Sequence, residues 1–183
     1  MFKVGFAYDS HRFDKSRKLF LGGVEIPSKY GLKGHSDADV LLHALMDALL
    51  GAVGSGDIGS HFPDDDPEYK DISSLILLKK VKNEVKKKDF IVNNCDLVVV
   101  AEKPKLKPYR NKIVSSIASG LEIEEKEINF KATTNEKMGF TGREEGIAAY
   151  AVVSVVEKKL WQFFRCLERE GSIYDVSKKY NDK

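Results

Sequence analysis

The chain has 183 residues, 42% of them hydrophobic and 32% charged, with 30 basic against 28 acidic side chains. That length suits one domain with a core of its own, and a net charge of +2 supplies no basic field of the kind that holds nucleic acid. The two isolated cysteines, Cys95 and Cys166, exclude a Cys-x-x-Cys zinc site and argue against a disulfide framework. The longest apolar run, residues 147–156, is broken by Ser154 and is too short to cross a bilayer, and a strand pattern from Lys3 leaves no room for a leader peptide. The expectation is a chain in the cytosol, or in an organelle stroma after removal of a transit peptide, with no membrane partner.

In chain order, residues 3–8 and 19–26 are β-rich runs, the second interrupted by Gly22-Gly23 and stopped by Pro27, with a charged loop at 12–18 between them. Asp9 and His11 fall where the first strand ends, and residues i and i+2 of an extended chain share a face. A glycine-bounded loop at 31–37 leads into Val40, Leu41, Leu45, Leu49 and Val53, whose spacing predicts a helix over 38–53 with Ser36 or Asp37 as its cap. Asp39, His43 and Asp47 are spaced by four and share one polar stripe of that helix. Residues 54–70 form an acidic loop rich in breakers, and 73–88 a helix whose six lysines read as a solvated face. A buried strand is expected at 96–102, a third helix from Pro108 to Gly120, strands at 127–133 and 147–156, and a glycine-punctuated loop at 134–146. Leu160, Phe163, Phe164 and Leu167 recur at helical spacing beyond the last strand. Strands and helices mix without strict alternation, which predicts an α+β fold: a mixed sheet of four to five strands with its helices mostly on one face.

Three constellations could carry chemistry. Asp9, His11 and His43 offer one carboxylate and two imidazoles, a set that suits a catalytic zinc with an open fourth position, and Asp39, one turn before His43, could orient a ligating imidazole. The same spacing also fits a hydrogen-bonded Asp–His pair and an unrelated helix histidine. Gly34-His35-Ser36-Asp37 presents an imidazole, a hydroxyl and free amides to an anion, or is a simple cap. Residues 132–143 bring hydroxyls, Glu136 and Arg143 into a glycine-rich loop, suited to phosphate and a hard divalent cation, or to an ordinary capped loop.

Taken together, these motifs resemble those of the 2-C-methyl-D-erythritol 2,4-cyclodiphosphate synthases. The resemblance covers residues 1–158 and rests on the order and spacing of Asp9-Ser10-His11-Arg12-Phe13, His35-Ser36-Asp37-Ala38-Asp39-Val40, residues 43–51, Gly56-Asp57-Ile58-Gly59, residues 62–67 and residues 131–143. It implies a ferredoxin-like subunit, a homotrimer with sites between subunits, one zinc per subunit and a second ion, Mg or Mn. The implied reaction is intramolecular phosphoryl transfer on 4-diphosphocytidyl-2-C-methyl-D-erythritol 2-phosphate, releasing CMP and the cyclic diphosphate.

Residue by residue, the resemblance makes Asp9, His11 and His43 the zinc ligands and Glu136 the ligand of the second ion. His35 and Thr134 become the stabilisers of developing phosphate charge, with Ser36 and Thr133 beside them, and Ser10 and Asn135 count among the substrate-binding positions. Asp57, Ile58 and Gly59 match the ribose site, and Phe62, Pro63, Asp64, Asp65 and Asp66 the loop around the methylerythritol. Ala101, Glu102, Lys103, Pro104, Lys105, Leu106 and Lys107 match the cytosine pocket, with Lys105 near the nucleotide phosphate, while Phe140 and Arg143 match the lining of an axial cavity. Gly5-Phe6-Ala7-Tyr8 departs from the family's usual Gly-His-Gly-Phe, and residues 159–183 extend past its usual end as an amphipathic helix and loose tail. A zinc phosphohydrolase using water, and a binding module without activity, are the competing readings of the same residues.

Overall fold

The computed structural model describes residues 1–170, and residues 171–183 of the expected 159–183 extension lie outside the described residues. Its elements run β1 (Phe2–Asp14), β2 (Leu19–Leu21), β3 (Val24–Ile26), β4 (Gly31–Leu32), α1 (Val40–Ala52), α2 (Ile58–His61), α3 (Ser74–Lys87), β5 (Phe90–Val100), α4 (Arg110–Leu121), β6 (Ile128–Thr133), α5 (Gly139–Gly142), β7 (Gly146–Glu157) and α6 (Lys158–Glu170). Five strands make a mixed sheet in the order β4-β1-β7-β5-β6, antiparallel except for the β5–β6 pair. β2 and β3 form a separate hairpin.

Ten of the thirteen residues of α1 are buried, so the helix must be covered on nearly every side. It lies across β1 and β7, with α3 packed beside it. The approach to β1 is so close that a Cβ at Gly5 would sit 1.8 Å from the Ala48 carbonyl oxygen; only glycine fits there. Along β1, Gly5, Ala7, Asp9 and His11 alternate with the exposed Val4, Phe6, Tyr8 and Ser10, so one face of the strand meets the helix and the other stays open.

The structure changes several expected boundaries. β1 continues past Tyr8 because it stays paired with β7 through Arg12 and then with β4 through Phe13, so Asp9 and His11 lie within the strand and the charged loop begins only after Asp14. Residues 19–26 are a tight hairpin, turned by Gly22 and Gly23 at φ of 62° and 76°. The strand expected at 96–102 starts earlier, at Phe90, and ends at Val100. The loops at 54–70 and 134–146 each contain a short helix, α2 and α5. Pro108 sits in a 3-10 turn, Lys107–Tyr109, that leads into α4. Five of the six lysines of the second helix region are exposed, but Lys82 is buried and pairs with Glu122 at 2.6 Å, tying α3 to α4. Hydrogen bonds from Lys82 and then Lys86 hold the Glu122 carboxyl down at about 2.

The cap of α1 is Asp39, not Ser36 or Asp37. Its fully buried carboxylate accepts from the backbone N–H of Leu42 and Gly22 at 3.0 Å each and of Gly23 at 2.6 Å. One side chain therefore caps the helix and bolts it to the β2–β3 turn, and this occupies the oxygens expected to orient His43. Burial, then the nearby charge of Asp37, push the Asp39 pKa up, against the lowering by the three amides. Replacing Asp39 with Ala leaves those amides buried and unpaired, so Asp39→Ala is expected to cost about 3 kcal/mol or more, read as a lower midpoint in denaturant titration.

Candidate metal centre and active site

Asp9 and His11 reach α1 from adjacent same-face positions on β1, and His43 meets them from the helix. Their ligand atoms lie within 4.8 Å of one another. His11 Nε2 is 2.9 Å from Asp9 Oδ2 and 3.0 Å from His43 Nδ1, and Asp9 Oδ2 is 3.3 Å from His43 Nδ1. The other nitrogen of His11, Nδ1, faces the Lys33 carbonyl at 2.6 Å. A carbonyl only accepts, so Nδ1 carries the proton and the neutral ring presents the bare Nε2 to the cluster. A lone pair, a carboxylate oxygen and a second imidazole nitrogen aimed at one point fit a divalent cation. Burial works to raise the Asp9 pKa, yet the adjoining imidazoles of His11 and His43 outweigh it and hold the carboxyl well below the usual range. For His11, burial lowers the pKa, but the hydrogen bond and charge of Asp9 leave it raised.

The expected anion loop is held by contacts that spacing does not reveal. Arg17 donates to the Gly34 carbonyl at 2.6 Å and to the Ser36 carbonyl, and its Nη2 lies 3.2 Å from Asp71. The Asp71 N–H donates to the His35 carbonyl at 2.8 Å. His35 Nε2 donates to the Asp66 carbonyl at 3.1 Å, and Ser36 Oγ is 3.0 Å from His43 Nε2. A cavity of about 230 Å³ opens over the cluster, lined by Asp9, His11, His35, Ser36, Ile58, Gly59, Phe62 and Asp64 together with Asp47 and Tyr69, which sequence reasoning did not place there. Asp57 caps α2 through the Ser60 N–H, and Asp66 caps the turn at Pro67–Tyr69; neither they nor Pro63 and Asp65 line this cavity. Ser10 points to the opposite, open face, with only its N–H turned to Asp9 Oδ1 at 2.7 Å.

A second cavity, about 310 Å³, lies at the ends of the parallel strands β5 and β6 and is lined by Ala101, Pro104, Lys105, Leu106, Lys107, Thr133 and Thr134. Arg110 also lines it and was not anticipated, because it reads simply as the first residue of α4. Glu102 does not line it. Its Oε1 accepts from the N–H of Asn135 at 3.0 Å and of Lys137 at 3.1 Å, strapping the loop that carries Glu136 to the end of β5. Thr134 Oγ1 donates to Glu136 Oε1 at 3.0 Å. Lys103 pairs with Glu144, and Phe140 and Arg143 lie outside both cavities, Arg143 paired with Glu145 at 2.7 Å. His61 donates to the Ser55 carbonyl within its own loop.

Comparison with known proteins follows the same residues. The YgbB family model matches residues 2–156. The 2-C-methyl-D-erythritol 2,4-cyclodiphosphate synthase of Caldicellulosiruptor bescii is 57% identical over 157 residues, 86% of this chain and 100% of that protein. The bifunctional IspDF of Campylobacter jejuni superposes with a TM-score of 0.82 at 45% identity, over 85% of this chain but 42% of that one, so this chain spans less than half of that protein. The Plasmodium falciparum IspF solved as a CDP complex has a TM-score of 0.75 and 34% identity, over 86% of this chain and 97% of that one.

A cation at the cluster displaces the His11 proton, whose pKa is raised, so binding must weaken as pH falls through that pKa. With Zn²⁺ as the probe, calorimetric affinity is expected to drop between about pH 8 and about pH 6. An affinity independent of pH over that interval contradicts this reading of His11.

Proposed function

The chain belongs to the YgbB family, and from the convergence of Asp9, His11 and His43 we propose how its residues divide the work of that family's reaction. It is an enzyme of isoprenoid biosynthesis that converts 4-diphosphocytidyl-2-C-methyl-D-erythritol 2-phosphate to 2-C-methyl-D-erythritol 2,4-cyclodiphosphate and CMP. A phosphate monoester is largely dianionic near neutral pH, its second pKa being about 6, so the attacking 2-phosphate needs positioning and charge neutralisation more than a general base. An oxygen of that phosphate forms a bond to the β-phosphorus as the bond to the CMP oxygen breaks.

In this reading Asp9, His11 and His43 hold zinc and Glu136 holds Mg or Mn, ions that neutralise phosphate charge when bound. His35 and Thr134 donate to the oxygens that gain charge, with Ser36 and Thr133 beside them. His35 is already steered by Asp66, and Thr134 by Glu136. Ala101 to Lys107, with Arg110, take the cytosine and its phosphate. The cavity dimensions and the CDP complex of the Plasmodium falciparum relative support a cytidine ligand. Asp57, Ile58 and Gly59 hold the ribose, and Phe62 to Asp66 surround the methylerythritol, where Asp64 accepts from its hydroxyls.

For assembly, we read a ferredoxin-like subunit that forms a homotrimer with its sites between subunits. Support comes from the open sheet face, where Val4, Phe6, Tyr8, Tyr150 and Val152 leave apolar surface in solvent. The two cavities also share no lining residue, and β1 and β6 stand three strand spacings apart, about 14 Å. Phe140 and Arg143 would then face an axial cavity. Residues 1–158 are read as the catalytic unit and 159–183 as an extension. No described helix is long and apolar enough to cross a membrane, and the bacterial relatives support a cytoplasmic enzyme.

Incubation of the purified protein with the cytidylylated substrate and Mg²⁺ or Mn²⁺ is expected to yield CMP and the cyclic diphosphate with no ¹⁸O taken from labelled water. Thr134→Ala is expected to lower kcat by about 10²-fold. Label in the product, or CMP release without cyclisation, would identify a hydrolase instead. Sedimentation should return a threefold mass, and Tyr150→Glu, which puts a charge on the open face, should reduce it to that of one subunit.

A further inference from the structure

His43 meets the cluster with Nδ1, and what faces its other nitrogen decides whether that Nδ1 has a lone pair to offer. Nε2 lies 3.2 Å from Ser74 Oγ and 3.0 Å from Ser36 Oγ. Ser74 is the first residue of α3 and is fully buried. Its hydroxyl donates to Asp37 Oδ1 at 2.5 Å and its N–H to Asp37 Oδ2 at 2.9 Å, so a single carboxylate grips both of its donors. A hydroxyl has one proton, and with that proton committed to Asp37 the Ser74 oxygen can only accept from His43. Ser36 Oγ already accepts from the Ala38 N–H at 3.2 Å and keeps its own proton free, so it does not impose a direction.

We propose that Asp37 and Ser74 are positioning residues that hold His43 as its Nε2–H tautomer, leaving Nδ1 as the donor to the metal. The inference rests on the zinc reading given above. It assigns a task to Asp37, which sequence reasoning took for a cap of α1 and whose carboxylate instead accepts from the first N–H of α3, behind that helix's own cap Ser73, and to Ser74, which no motif marked. The relay passes the negative charge of Asp37 through a hydroxyl to the imidazole, which raises the basicity of the ligating nitrogen. Asp37 is itself held in place, because its N–H donates to the Ile72 carbonyl at 3.0 Å.

Two measurements test this. Nitrogen-15 spectra of the metal-free parent protein at mildly alkaline pH should show His43 protonated at Nε2 and bare at Nδ1; the opposite tautomer overturns the proposal whatever the metal does. Zinc affinity of Ser74→Ala, measured by competition with a chelator, should be about 10- to 100-fold weaker than that of the parent, with the fold checked by circular dichroism and the His43 tautomer preference lost. An unchanged affinity in a folded variant overturns the proposal while leaving the zinc reading intact. A parent protein that binds no zinc overturns both. If Ser74→Ala does not fold, the spectrum of the parent decides alone.

Discussion

Helix α1 must be buried on almost every side, and the rest of the site follows from where that burial puts it. Ten buried side chains give the helix a strong drive into the core but little information about rotation or slide, since apolar contact is not directional. Direction comes from two specific contacts. The Ala48 carbonyl rests on Gly5, which sets how near the helix lies to β1, and the Asp39 carboxylate holds its first turn to the Gly22-Gly23 hairpin, which sets its slide along the sheet. His43, one turn past Asp39, then has one place to be, against Asp9 and His11.

Much of this was readable beforehand, and the parts that were not have physical reasons. Period-two alternation put Asp9 and His11 on one face, and the 3.6-residue period put His43 and Asp47 on the polar stripe of α1; both survive in the fold because they depend only on local geometry. Where β1 ends did not survive, since its extension depends on β7 and β4, partners far along the chain. The cap of α1 shifted from Ser36 or Asp37 to Asp39 because Ala38 takes a left-handed φ of 58°, and a bend of that kind leaves no trace in propensity. Arg17 and Ser74 were missed because each acts from an element distant in sequence, Arg110 because it reads as no more than the first residue of a helix, and the roll of lysines hid the buried Lys82 because composition does not report which side of a helix faces inward.

The balanced charge of the chain acquires a meaning from the site. Asp9, Asp47, Asp64 and Glu136 are poor company for a triply phosphorylated ligand, and a net charge of only +2 does little to offset them. In the proposed reading, cations held by the carboxylates and imidazoles make the site attractive to phosphate, so the protein invests in holding ions instead of in a permanent positive surface. Among its cationic side chains, Arg17 shapes a loop and Lys82 joins two helices, while Lys105, Lys107 and Arg110 line the second cavity. The parallel pairing of β5 and β6 contributes in the same economical way, because two loops leaving the same edge can be strapped by one residue, Glu102.

Gly5 also acts as a reading-frame mark for the metal centre. It lies an even number of residues before Asp9 and His11, opposite Val153 of β7, and it is the position in β1 over which the helix backbone can pass. A strand has two faces and a period of two, so a residue gained or lost between Gly5 and Asp9 would keep the glycine under the helix and turn both ligands out to the open face, carrying Ser10 and Arg12, or Tyr8 and Ser10, inward in their place. Substitutions in that stretch can therefore be absorbed one side chain at a time, whereas a change in its length cannot, and the spacing between Gly5 and Asp9 is a stricter requirement than the identity of anything between them.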